Sequence, residues 1–347
     1  MAYTTIDKPS DYFNTVLRSG LYGGSDTAFT VGFQPDWIWD KRRSDTSVHA
    51  LFDSVRGFGS SGKVLYSNTA DAEATNGLID SVSSTGFTIK ASSDNTGTLV
   101  DWCWKTGTTG SGTTTGSGTG KAYSYSVSTD AGFSIVKWVG NGTSGHTIPH
   151  HLGTTPQVVI MKNLDNAITW IVGHKSAGFN KILFLDTDAA AATDSNAFAD
   201  TDPTSTVWTM GTGNGGNDND VNYIGYIFSE RKGYSKFGSY VGNGNADGTF
   251  VYTGFKPAFV MAKKSSGTED WSITDNKMNT FNVCNNKLRP NSSSQESTGN
   301  AHIDFTAQGF KWRSTSGEFN ASGATYIFMA FAENPFTTST GVPATAR

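Results

Sequence analysis

Three stretches of the chain share one design. They are Gly32-Phe33-Gln34-Pro35-Asp36-Trp37-Ile38-Trp39-Asp40-Lys41, Gly153-Thr154-Thr155-Pro156-Gln157-Val158-Val159-Ile160-Met161-Lys162, and Gly254-Phe255-Lys256-Pro257-Ala258-Phe259-Val260-Met261-Ala262-Lys263. Each has a glycine, then a proline, a short apolar run and a lysine at matching places. Proline lacks the N–H that a central ladder uses and is tolerated at a strand's first residue, so Pro35, Pro156 and Pro257 read as equivalent strand starts. The runs after them alternate too little for a one-sided sheet, which predicts strands buried on both faces.

Other anchors follow in the same order. SNTADAEAT (67–75) matches LDTDAAAAT (185–193) and PNSSSQEST (290–298). Phe87, Trp208 and Phe310 each sit in a short strand, and LVDWCWK, NYIGYIFSE and TYIFMAFAE close the three segments. An opening element, FSIVKWVGNGTSG (133–145), returns as KFGSYVGNGNADG (236–248). Pro35 and Pro156 are 121 residues apart, Pro156 and Pro257 only 101. Most of the excess is TGTTGSGTTTGSGTG (106–120), which reads as a flexible linker because it has no aromatic or aliphatic side chain to bury. A period near 100 is too long for a solenoid repeat and suits a small β-domain.

The expected fold is therefore all-β: three tandem antiparallel β-sandwich (jelly-roll or lectin-like) domains from an internal triplication. The expected organisation is an N-terminal attachment arm (1–12), repeats at 13–105, 121–232 and 233–336, the linker at 106–120, and a C-terminal tail (337–347). The short second-to-third junction predicts that those two units pack rigidly while the first reorients.

Composition agrees. Charged residues are 16% and apolar residues 36%, both low, while Gly supplies 40 of 347 residues and aromatics 12%. Small turn formers with aromatic and β-branched residues point to sheets, and they exclude a helical bundle or coiled coil. A net charge of −4, with only the small basic clusters Lys41-Arg42-Arg43 and Lys263-Lys264, argues against nucleic acid as a partner, and no apolar run is long enough for a membrane span. The N-terminus lacks a secretory pattern. Cys103 and Cys284 lie in different repeats and are expected to pack as small hydrophobes.

No motif predicts catalysis. His146, His150 and His151 are close together, but adjacent strand residues point to opposite faces, so neither a metal site nor a cofactor is expected. GNGGNDNDVN (213–222) is oxygen-rich, yet it lacks the EF-hand pattern and reads as a turn. His49 and Asp53 have no nucleophile elbow near them, and the other repeats keep neither. Trp37 with Trp39, and Trp102 with Trp104, share sheet faces and read as core. The ligand-binding candidates lie instead at the Gly-Asn-Gly turns, each with an aromatic two residues ahead: Trp138, Asn141, Tyr240, Asn243 and Asp247.

GFQPDWIWDKRR, HALFDSVRG, LYSNTADAEAT, STGFTI and VDWCWK, with the opening MAYTTIDKPSDYFNT and the later YVGNGNADGTFVYTGFKPAFVMAKK and ATYIFMAFAENPF, resemble a repeat found in virion proteins of marine tailed bacteriophages. That family is largely uncharacterised and is described as tail-fibre or lectin-like (concanavalin A-like). The resemblance implies a non-enzymatic virion-surface structural protein of the tail-fibre or receptor-binding, host-adhesion type, assembled in the host cytoplasm. Its implied partners are other virion proteins of tail or capsid, further copies of itself, and a host-surface glycan. The alternatives are a capsid decoration or head-appendage protein and, third, a carbohydrate-active enzyme.

Overall fold

The computed structural model describes residues 3–21, 24–91, 96–300 and 302–345. Among them the chain is all-β, in antiparallel sheets with a single helical turn at Ser195–Phe198 and a 3-10 turn at Pro9–Asp11. There are three large sheets and three small ones.

Each large sheet repeats one strand order: opening, closing, second, third. In the first these are Phe13–Ser19, Thr98–Trp104, Trp37–Arg42 and His49–Asp53. In the second they are Phe133–Val139, Asn222–Phe228, Val158–Asn163 and Ile171–His174, and in the third Ser235–Val241, Thr325–Pro335, Phe255–Lys264 and Ser272–Asp275. Each is accompanied by a three-stranded small sheet centred on Gly86–Ile89, His146–Pro149 or Gly309–Trp312. The strand start expected at Pro35 and Pro156 is found two residues later, at Trp37 and Val158. Pro257 differs. It lies inside Phe255–Lys264, where the pairing shifts register on both sides of it, and such an irregularity accommodates the missing N–H.

The closing and second strands at the centre of each large sheet are buried on both faces, and the pleat sends alternate residues to two different cores. Ile38 and Cys103 face the first small sheet, Val159 and Ile227 the second, and Val260 and Phe328 the third. Trp37, Trp39, Trp102, Trp104, Ile160, Tyr226, Phe259 and Phe331 turn the other way, into one core built from all three large sheets. There Trp37 stacks on Tyr226 at 4.4 Å, Trp104 meets Phe259 edge-on at 5.7 Å, and Phe13 stacks on Phe331 at 5.3 Å. The first sheet is thus held in the same apolar core as the others, which corrects the expectation that it reorients freely.

The segments 67–75, 185–193 and 290–298 each cross to the neighbouring sheet. Glu73 N–H donates to Leu164 O (2.9 Å), Ala191 N–H to Ser265 O (3.0 Å) and Glu296 N–H to Arg43 O (2.8 Å). First joins second, second joins third, and third returns to first. Trp170 Nε1–H donates to Tyr66 O and Trp271 Nε1–H to Phe184 O, at 2.9 and 2.8 Å. His49 occupies the matching place beside the Arg289 carbonyl and accepts from Trp39 Nε1–H. The lysine that ends each of the three stretches is buried here. Lys162 Nζ donates to Ala70 O, Asn163 O and Ile168 O, and Lys41 Nζ reaches across to Ser293 O. A second ring of contacts uses the ends of the third strands: Asp53 accepts from Tyr226 Oη–H, His174 Nε2 meets Phe328 O, and Asp275 accepts from Trp102 Nε1–H.

Two further expectations are corrected. Residues 106–120 are not a free linker. Thr108–Thr113 pairs with Ala122–Ser128, and Thr115–Gly116 pairs with the strand His146–Pro149. Backbone bonds need no apolar side chain, and the segment's glycines leave room for tyrosines: a Cβ at Gly110 would meet Tyr125, and one at Gly112 would meet Tyr123, all within 3 Å. Nor is the described part of 1–12 a free arm. Ile6 is buried in the shared core, Thr4 Oγ1–H donates to Lys232 O (2.8 Å), and Tyr3 Oη–H donates to Gly254 O (2.5 Å). The tail joins it, with Ser339 N–H on Asp7 (2.6 Å).

One shared core predicts one cooperative unfolding transition by tryptophan fluorescence in urea, with no separate transition for the first sheet. Deleting residues 1–12 should lower the midpoint, and Lys162→Met, which strands three carbonyls, should cost about 1–3 kcal/mol. Acid adds an independent check. Burial pushes His174 from 6.5 down to about 4, so between those values the unfolded chain binds a proton that the folded chain does not. Its contribution is complete above pH 6.5 and is lost as pH falls through 4. His174→Gln should therefore flatten the stability-against-pH curve in that window.

Candidate functional site

The Gly-Asn-Gly turns are structural. Trp138 is fully buried, stacks on Tyr223 at 5.5 Å and donates Nε1–H to Gly216 O. Tyr240 is likewise buried, stacks on Tyr326 at 4.9 Å and donates its hydroxyl to Phe319 O. Neither ring has a free face for a ligand, so both are corrected from ligand contacts to sandwich core. The turns are pinned by two buried asparagines that the sequence reading missed. Asn217 Oδ1 accepts from Asn141 N–H and Asn320 Oδ1 from Asn243 N–H, at 3.1 and 2.9 Å. The glycines follow from close approach: a Cβ on Gly140 would lie 2.2 Å from Asp218 O, and one on Gly242 2.3 Å from Ala321 O. Asn141 spends its amide on Ser117 O and Thr119 O, fixing the 106–120 segment. Asn243 and Asp247 are exposed, and Asp247 pairs with Lys311 (2.6 Å) and Arg313 (3.0 Å).

The histidines of HTIPHH are also placed by the fold. His146 is buried between Asn217 Oδ1 and Thr114 Oγ1, and His150 is buried against Thr204 O. His151 stacks on Tyr125 at 3.7 Å. No group of three metal-ligating side chains occurs among the described residues. Cys103 and Cys284 are both free and buried.

The chemistry that stands out lies where the first large sheet departs from the other two. In strand register, Arg18, Trp138 and Tyr240 occupy one place on the opening strands, five residues beyond Phe13, Phe133 and Ser235. The cross-strand pair Asp40–Asp101 stands where the second sheet has Met161–Gly225 and the third Ala262–Phe328. Where the second and third large sheets carry apolar side chains, the first carries an ion triad. Arg18 Nε–H donates to Asp101 Oδ2 at 2.8 Å, and Nη2–H donates to Asp40 Oδ2. The Arg18 and Asp101 side chains are completely buried. Desolvation raises the Asp101 carboxyl well above the usual range, opposed by Arg18 and reinforced by Asp40. Asp101 Oδ1 is buried with no hydrogen-bond partner among the described residues.

Asp40 forms part of the wall of a groove of about 680 Å³ between the large and small sheets. Its polar lining comes from Arg42, Ser47, Ser60, Tyr66, Asn76 and Lys90. Val48, Ala50, Leu78 and Leu99 supply the apolar part. The signal for this site was present in the sequence: Asp40 and Asp101 interrupt apolar runs at places where the matching stretches carry Met161 or Ala262 and Gly225 or Phe328.

A buried ion pair seldom stabilises a fold relative to an apolar replacement, whereas breaking it leaves an unpaired charge. Arg18→Met alone should lower stability by about 3–5 kcal/mol. Adding Asp40→Leu and Asp101→Ala to it should recover most of that loss. Equal losses in the single and triple variants, measured by urea unfolding, would show that the triad is not acting as one coupled unit.

One family model, described as a domain of unknown function (DUF7483), matches residues 8–335. No curated protein and no solved structure matches the chain.

Proposed function

We propose a function for this chain, which belongs to the DUF7483 family of domains of unknown function: it is a non-enzymatic structural protein of a bacteriophage virion surface, of the tail-fibre or receptor-binding type. The observation that carries the reading is the cyclic closure of the three large sheets, first on second, second on third, third on first. Head-to-tail contacts that close make a ring, and here one chain supplies every member. We read the recurring strand order as an internal triplication into three sandwich units. Such a body presents three related outer surfaces around one shared core, which suits a protein that docks on an assembly. The likeness of the repeated motifs to virion proteins of marine tailed phages supplies the setting, with tail or capsid proteins, further copies and a host-surface glycan as partners.

The same ring favours one second reading, a capsid decoration or head-appendage protein. Three related units about one centre match a three-fold or quasi-three-fold capsid site. Gold-labelled antibody on virions, with a copy count per particle, tests both. A few copies at the tail are expected. Hundreds of copies on the head would select the decoration reading, and absence from the particle would reject both.

A further inference from the structure

We infer that the groove of the first sandwich is a saccharide-binding site that takes a neutral sugar chain, with one site per molecule. This rests on the adhesion reading only for where the sugar would be met, since the chemistry is that of the groove itself.

The volume of about 680 Å³ lies within the range of small-ligand pockets, about 300–1,000 Å³. Its lining mixes hydrogen-bonding and aliphatic groups, which fits a pyranose, whose rim of hydroxyls surrounds C–H faces. Asp40 accepts hydroxyl protons, Asn76 and Tyr66 offer both donor and acceptor capacity, and Lys90 donates. Val48, Leu78 and Leu99 supply apolar surface for the C–H faces. Asp40 is already paired with Arg18, and the cations of Arg42 and Lys90 stand on the same lining, so the groove presents acceptors and donors of both signs. A neutral polyol satisfies acceptors and donors together.

A smaller groove of about 280 Å³ lies at the matching place of the second sheet, lined by Ile168, Thr169, Ile171, Phe184 and Asp194, and the triad accounts for the larger one in the first. In the second, the Trp138 ring lies over Gly225, within 3.6 Å of a Cβ placed there. In the third, Tyr240 packs near Phe328, ring centroids 6.4 Å apart. Those rings fill the space that the first sandwich gives to Arg18, Asp40 and Asp101. Arg18 is the positioning residue. Held between two carboxylates and over the Phe29 ring at 5.7 Å, it fixes Asp40 at the groove wall.

The test is titration calorimetry and saturation-transfer NMR on the purified full chain. The probes are neutral di- and trisaccharides of glucose, galactose, mannose and N-acetylglucosamine, with inorganic sulfate as the anionic control. At least one sugar should bind with a stoichiometry of one. Val48→Trp places a ring into the groove from an exposed position and should abolish binding with the melting temperature unchanged. Lys90→Ala, also exposed, should weaken it by about tenfold, the worth of one hydrogen bond to a charged group. No binding by any sugar at 10 mM (roughly the weakest specific range), wild-type affinity in Val48→Trp, or binding of sulfate alone would each overturn the inference. These outcomes are separable from the proposed function. A chain that binds sugar but is absent from virions rejects the function and leaves the groove, and a virion protein with an inert groove does the reverse.

Discussion

The central strands of each large sheet are buried on both faces, and the rest of the architecture follows from that constraint. A sheet with one apolar face is satisfied by a single partner layer. Here the small sheet covers one face, leaving Trp37, Trp39, Trp102 and Trp104 on the first sheet, and their counterparts on the others, still to be covered. One large sheet cannot meet that need alone. Three do so by turning these faces toward a common centre, where Trp37 reaches Tyr226, Phe13 reaches Phe331 and Trp104 reaches Phe259. The family model runs through all of this, from residue 8 to 335, as one unit. A shared core is a physical reason for that extent, because no sandwich removed from the others would keep its second face dry.

A ring of three needs three junctions, and only two can be made between neighbours in sequence. The third joins the end of the chain to its beginning. It is made by the segment 290–298 against the first sheet, where Arg43 and Glu296 form a two-bonded ion pair at 2.8 and 3.0 Å, and by the N-terminal residues folded onto the third unit. Loop-closure entropy opposes such long-range contacts. The compensation comes from burying Ile6 and from the same backbone bonds that serve the two local junctions.

Much of this was legible in the sequence, and the failures have a common physical origin. The glycine, proline and lysine that frame the three stretches fix the strands, and the absence of alternation after the prolines correctly signals burial on both faces. What covers the second face was not legible, because a hydrophobic pattern gives the demand for a partner and not its identity. The 106–120 segment was misread because side chains were taken as the only source of cohesion. Its backbone pairs in full view of solvent, under Tyr123 and Tyr125. Trp138 and Tyr240 were misread because an aromatic beside a turn looks the same in sequence whether the ring turns in or out. The deciding residues, Asn217 and Asn320, lie more than seventy positions away.

Arg18, Asp40 and Asp101 show what a repeated frame permits. In a lone sandwich, exchanging a stacked aromatic plug for a buried ion triad would weaken a main source of cohesion and leave Asp101 Oδ1 without a bond. In the ring, the first large sheet retains its other face, where four tryptophans are held by the neighbouring sheets. The cohesion of the whole therefore rests on the shared core and the three junctions, and the interior of one sandwich becomes available for polar chemistry. Departure from the repeat is then the informative signal. Where three sheets share one strand order, positions at which two agree on apolar packing and the third is charged are those whose residues stability alone does not explain.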